Sequence, residues 1–186
     1  FSARALRSYV DWAMLKVAQN KQNNAGQEHM SATMATILID QSNCCALWAH
    51  LGDTRIYMCR EGKIRTISKD QSLTQRLVDA GYVDYDEIRQ HPQRSVLFAA
   101  IGAEGDTSPE VTLEAIELQD GDAFLLCTDG LWEWIHEHEM EHSLALTHSS
   151  QVWPHKMNTI AKQHIGPAAI TRDNFSAFTI CLRESF

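Results

Sequence analysis

Apolar and polar positions divide the chain into a helical opening, a β-rich middle and a mixed final third. Residues 2–19 repeat Leu6, Val10, Ala13, Met14 and Val17 at spacings of three and four, with Arg4, Arg7, Asp11 and Lys16 largely off that face. That period predicts an amphipathic helix. Residues 20–29 are polar, contain Gly26 and predict a loop. From Met30 the texture changes to short apolar runs over 33–39, 44–50, 55–59 and 63–67, with Gly52-Asp53 and Glu61-Gly62 where hairpin turns would fall. An antiparallel meander is the expectation. Residues 70–91 turn helical and charged in two short segments, punctuated by Gly81 and Pro92, and 95–101 are apolar again. Residues 111–118 and 123–128 flank Asp120-Gly121 as another expected hairpin; 132–146 and 151–165 read as helices, and 175–182 as a last strand. Strands clustered together, with helices at separate points, predict an α+β fold with sheets between helical layers rather than a regular parallel βαβ fold.

The chain is organised around Phe124-Leu125-Leu126-Cys127-Thr128-Asp129-Gly130. A continuous apolar run reads as a strand buried on both faces, and Asp-Gly at its end sets a carboxylate at the strand mouth beside a residue that permits close backbone approach. Asp173 opens the last apolar run in the same way. Two carboxylates at strand ends point to a site for a hard cation.

The length of 186 residues suits a single domain, and the formal net charge of −8 disfavours a general nucleic-acid binder, because the 16 Lys and Arg are scattered. Cys44, Cys45, Cys59, Cys127 and Cys181 lack Cys-x-x-Cys spacing and read as reduced, buried core thiols of a cytoplasmic protein. No signal peptide or long apolar run points to a membrane.

Six stretches in one order carry a resemblance: Met30-Ser31-Ala32-Thr33, Leu51-Gly52-Asp53-Thr54-Arg55, Lys69-Asp70-Gln71-Ser72-Leu73, His91-Pro92-Gln93-Arg94-Ser95-Val96-Leu97, Leu126-Cys127-Thr128-Asp129-Gly130-Leu131-Trp132 and Arg172-Asp173-Asn174. Together they resemble the metal-dependent type 2C (PPM family) protein serine/threonine phosphatases, bacterial members in particular. Ser31-Ala32 stands where Gly-Thr is usual in that family, and Gln71 where His is usual.

The resemblance implies an α/β/β/α sandwich of two mainly antiparallel sheets flanked by helices. It also implies hydrolysis of phosphoserine and phosphothreonine by a hydroxide bridging two Mn²⁺ or Mg²⁺ ions. Asp129 and Asp173 correspond to ligands of one of these ions; Asp53, with Asp129 and Glu133, corresponds to a weaker third site. Residues 70–94 correspond to a flap beside the site. The family's opening strands and its Asp-Gly-x-Gly-Gly ligands are expected before Phe1, so these residues alone are expected to be inactive. Phosphorylated proteins and an opposing serine/threonine kinase are the implied partners.

Three other readings stand beside this one: a catalytically silent module that binds phosphoproteins, a regulatory phosphatase acting on an anti-sigma antagonist, and a zinc protease. The last rests on His138-Glu139-Met140-Glu141-His142, which matches H-E-x-x-H. No third ligand follows at the spacing of the larger signature, and the stretch is strongly polar, as on a solvated helix.

Overall fold

The apolar runs become strands shared between two sheets, and among the described residues every strand pairing is antiparallel. The computed structural model describes residues 1–103, 107–147, 149–165 and 174–183. These fall into two units, Phe1–Thr54 with Lys69–Leu118, and Arg55–Ser68 with Gln119–Phe186. The architecture is α+β.

The first unit opens with helix α1 (Ala3–Asn23), whose start is capped by Ser2 Oγ accepting from the Ala5 N–H at 3.2 Å. Strands β1 (Met34–Asp40) and β2 (Cys45–Leu51) pair from Met34↔Leu51 to Asp40↔Cys45. Two short strands, β5 (Glu110–Val111) and β6 (Ile116–Glu117), take the other edge of β2. The expected apolar face of α1 is the one used: Leu6 and Val10 are buried on Leu47 and Ala49 of β2, while Met14 and Val17 reach Leu51, Ala99 and Ile101. Burying each of Leu6 and Val10 contributes about 2 kcal/mol. The helix runs past its expected end to Asn23, where Lys21 Nζ donates to the Gly102 carbonyl at 2.5 Å, a tether that apolar periodicity does not register. Helix α2 (Leu73–Asp79) and a 3₁₀ turn (Tyr85–Gln90) complete the unit.

The second unit holds β3 (Arg55–Arg60), β4 (Lys63–Ile67), β7 (Ala123–Cys127) and β8 (Ala177–Cys181), in the order β4-β3-β7-β8. Glu61 and Gly62, at φ 55° and 71°, turn the β3–β4 hairpin as expected. Strand β7 lies inside the sheet with Ala123, Phe124, Leu125 and Cys127 buried, in keeping with its unbroken apolar run. Helices α3 (Asp129–Trp132), α4 (Glu137–Ala145) and α5 (Trp153–Ile165) follow. Trp153 binds α5 to α4, its indole N–H reaching the Met140 carbonyl at 3.2 Å and Ser143 Oγ at 2.9 Å.

Several expectations are corrected. Gly52-Asp53 and Asp120-Gly121 turn no hairpins: each carries the chain from one sheet to the other, since β2 pairs with β1, β5 and β6 while β3 pairs with β4 and β7. Next to the second of these turns, the buried Asp122 carboxylate accepts from Arg60 Nε and Nη2 at 2.9 and 2.7 Å and from the Gln119 N–H at 2.8 Å. These bonds fix the chain for entry into β7. The single helix expected over 132–146 is two, because His136 is extended at φ −83°, ψ 157° and starts α4 afresh. Residues 95–101 contribute only the isolated bridges Ser72↔Leu97 and Ala32↔Ile101. Of the cysteines, Cys59 and Cys127 are buried, Cys45 and Cys181 half-buried, and Cys44 exposed in the β1–β2 turn at φ 48°. Burial pushes the Cys59 thiol up to about 12, with Glu141, Cys181 and Asp122 adding to the shift, so it stays protonated and unreactive.

Asp122→Ala would leave Arg60 without its forked acceptor and the turn without its bond to Gln119. A loss of about 3 kcal/mol is expected, read as a lower urea midpoint with an unchanged slope.

Candidate metal centre

Strand β7 ends in Thr128, whose extended backbone (φ −77°, ψ 165°) opens the short helix α3. Thr128 prolongs the β7–β8 ladder by one step: its N–H donates to the Ser176 carbonyl at 3.1 Å, and its Oγ1 accepts from the Ser176 N–H at 3.0 Å. The two strands therefore still run together where α3 begins. A Cβ on Gly130 would stand 2.5 Å from the Asn174 carbonyl oxygen and 3.2 Å from Phe175 Cβ. Only glycine fits there, and it brings the Asp129-Gly130 backbone directly against Asn174.

Asp129 is half-buried, and its Oδ1 accepts from the Gly130 N–H at 2.8 Å, which orients the carboxylate. Glu133, also half-buried, closes α3 with its N–H on the Asp129 carbonyl at 3.0 Å, while Leu131, Trp132 and Ile135 are buried and anchor the turn. Asp173 lies outside the described residues. Among the described residues no group of three His, Cys, Asp or Glu side chains is placed to hold a metal ion. An oxygen donor at a strand end, beside a glycine cradle that admits the segment following Asp173, is nevertheless the donor chemistry a hard cation requires.

Asp53 lies in the first unit, 7% exposed, at the end of β2. Gly52 before it has φ +96°, and a Cβ there would come within 2.5 Å of Thr33 Cγ2. Gln71 clamps this turn: its N–H donates to the Gly52 carbonyl at 2.9 Å, its Oε1 accepts from the Gly52 N–H at 3.0 Å, and its Nε2 donates to the Ser108 carbonyl at 2.9 Å. The amide at position 71 thus acts as donor and acceptor to two different segments. Thr33 and Thr54 join hydroxyls across the same turn at 2.7 Å.

Arg55, not singled out in the sequence as a site residue, is 1% exposed in the second unit. It pairs with Cys127, stacks its guanidinium 3.6 Å from the Trp132 ring centroid and donates to the Tyr57 hydroxyl at 3.3 Å. A fixed cation at this end of the sheet favours ionised carboxylates there. Its signal was available: an arginine opening an apolar strand run must find partners inside.

The H-E-x-x-H stretch forms helix α4 and is engaged structurally. His138 and His142 are exposed, Glu139 accepts from the His136 N–H at 2.9 Å and pairs with His164 Nε2 at 2.8 Å, and Glu141 accepts from Lys63 Nζ and the Ile64 N–H. Both glutamates that a zinc site would use as base or ligand are spent on helix start and sheet contact.

Comparison with known proteins agrees with this architecture. Residues 3–77 match the family model "Protein phosphatase 2C". The serine/threonine protein phosphatase PstP of Mycobacterium tuberculosis is 32% identical over 144 residues, which cover 77% of this chain and 27% of that protein. The crystal structure of the M. tuberculosis serine/threonine phosphatase PstP/Ppp superposes with a TM-score of 0.79 at 28% identity, covering 96% of this chain and 73% of that one. The catalytic domain of PstP in complex with two manganese ions superposes with a TM-score of 0.72 at 26% identity over 94% and 72%. The chain is thus similar in sequence and fold to bacterial serine/threonine phosphatases, matches the protein phosphatase 2C model over residues 3–77, and spans about a quarter of the length of the curated relative above.

Two outcomes follow. Gly130→Ala should separate the α3 turn from Asn174 and lower stability by about 1–3 kcal/mol, measured by urea unfolding. For Glu139, burial pushes the carboxyl up, but the His136 N–H, the hydrogen bond from His164 and the charges of His164 and His138 outweigh it and hold the group below its ordinary 4.5. A carboxyl with a depressed folded pKa adds stability above its unfolded value and loses it as the pH falls through the folded one. The Tm gap between the native chain and Glu139→Gln should therefore be widest near neutrality and close as the pH drops below 4.5.

Proposed function

We propose that this chain carries the metal-binding strand ends of a protein serine/threonine phosphatase that depends on Mn²⁺ or Mg²⁺, with Asp129 and Asp173 as ligands of one of two core ions. The observation that carries the reading is the close approach of Gly130 to Asn174, which joins the two Asp-bearing stretches at one end of the β7–β8 pair. The two manganese ions of the PstP catalytic domain support the choice of metal.

When bound, the ions lower the pKa of water and offset the charge that develops on a phosphoryl group. The chain's own part is to fix the donors. Thr128 holds the strand end through Ser176, the Gly130 N–H orients the Asp129 carboxylate, and Arg55 keeps a positive charge buried at that end of the sheet. Substrates on this reading are phosphoserine and phosphothreonine proteins in the cytoplasm, phosphorylated by an opposing kinase. Asp53 and Glu133 are each assigned to a third, weaker ion, and residues 70–94 to the flap. Among the described residues no helix is long and apolar enough to cross a membrane.

In the full-length protein, Asp129→Asn and Asp173→Asn should each weaken Mn²⁺ binding, followed by the EPR signal of free Mn²⁺, and cut hydrolysis of phosphothreonine peptide by at least about a hundredfold. Asp53→Asn and Glu133→Gln should cost less, and His138→Ala close to nothing. Casein cleavage that requires Zn²⁺ and dies with His138→Ala, with both Asp variants unaffected, would replace this reading with the protease.

A further inference from the structure

His50 sits on β2, three residues before Asp53, with 1% of its surface exposed. Its Nε2 faces the Lys69 carbonyl oxygen at 2.7 Å, so that nitrogen bears the proton and donates. The other ring nitrogen, Nδ1, is buried with no hydrogen-bond partner among the described residues. An unpartnered buried acceptor weakens the fold, and a leucine or phenylalanine would fill the same space without it. Packing alone therefore does not account for an imidazole here. What it supplies is the Nε2–H on Lys69.

Lys69 begins a strap, residues 69–72, in which Gln71 holds the Gly52 turn before Asp53 and ties the strap to its surroundings. Gln71 makes its reciprocal pair with Gly52, accepts from the Phe98 N–H at 3.1 Å through its carbonyl, and reaches Ser108 through its side chain. Leu73 then donates to the Val96 carbonyl at 2.8 Å, and Ser72 Oγ caps α2 by accepting from the Gln75 N–H at 3.2 Å. Gly52 has no room to yield, with Thr33 on one side and the Ala99 carbonyl on the other. Across the β2–β5 ladder His50 pairs with Glu110, whose Oε2 lies 3.4 Å from Nε2, so one imidazole touches β2, β5 and the strap.

We infer that His50 is a positioning residue: by pinning the Lys69 carbonyl it holds the strap 69–72 in place, and through Gln71 it sets the direction in which the Asp53 carboxylate leaves the end of β2. The link to a metal ligand rests on the phosphatase reading; the pin itself does not.

The test is backbone amide hydrogen exchange of the full chain, native and with His50→Leu, His50→Gln and Gln71→Leu. Loss of one buried bond should speed exchange of the Gln71 and Gly52 amides by about tenfold in His50→Leu, with the Leu125 amide of β7 unchanged. His50→Gln, which restores an N–H donor, should return both to within about threefold of native. His50→Leu and Gln71→Leu combined should loosen the Gly52 amide by less than the product of the single effects, since they break one chain of bonds. Unchanged Gln71 and Gly52 amides, equal acceleration of Leu125, failure of the glutamine variant to restore protection, or independent single effects would each overturn the inference. None of these readouts requires turnover, so an inactive protein would defeat the phosphatase reading and leave the pin standing. In an active protein His50→Leu should raise the Mn²⁺ concentration for half-maximal rate, and His50→Gln should restore it.

Discussion

The approach of Gly130 to Asn174 is the contact on which the architecture of the second unit depends. It exists because β7 and β8 stay paired through Thr128 and Ser176, one step beyond the regular ladder, and because position 130 has no side chain. Everything behind it is arranged to keep β7 still. Its two edges are taken by β3 and β8, its entry is fixed by Asp122 and Arg60, and its exit turn is anchored by Leu131, Trp132 and Ile135. A carboxylate at the end of such a strand loses little further freedom on taking up a ligand, which is the advantage of building a site on rigid elements.

The first unit solves a similar problem by different means. Asp53 also follows a crowded glycine, but β2 ends without a partner strand to prolong it, and polar side chains do the holding. Gln71 is the clearest case. Where the family usually has histidine, the amide satisfies an N–H and a carbonyl in separate segments, which one neutral imidazole does only with one nitrogen for each role.

Much of this was legible in the sequence, and the misses share a cause. The face of α1, the burial of β7, the β3–β4 hairpin and the Asp129 turn follow from periodicity and turn chemistry within a few residues. Gly52-Asp53 and Asp120-Gly121 misled because a Gly-Asp or Asp-Gly pair specifies that the chain turns, not which strand it meets next. The break before α4 was hidden because His136 has no strong preference against helix, and its role as a start emerges only with Glu139 and His164 around it. Arg55 was overlooked for a related reason: the ring it stacks on, Trp132, lies far along the chain and reaches it only through the fold.

The second unit is assembled from two separated stretches of chain, and this has a consequence for how it comes into being. The β3–β4 hairpin is local and can form as soon as it is made, yet the partner of Arg55 is Cys127, about seventy residues further on. During synthesis the hairpin must wait with the Ile56, Tyr57 and Met58 edge unpaired while residues 69–118 emerge and until β7 follows them. An apolar strand left open for that interval is the place where this chain is most exposed to pairing with the wrong partner, and the place where a chaperone has the most to protect.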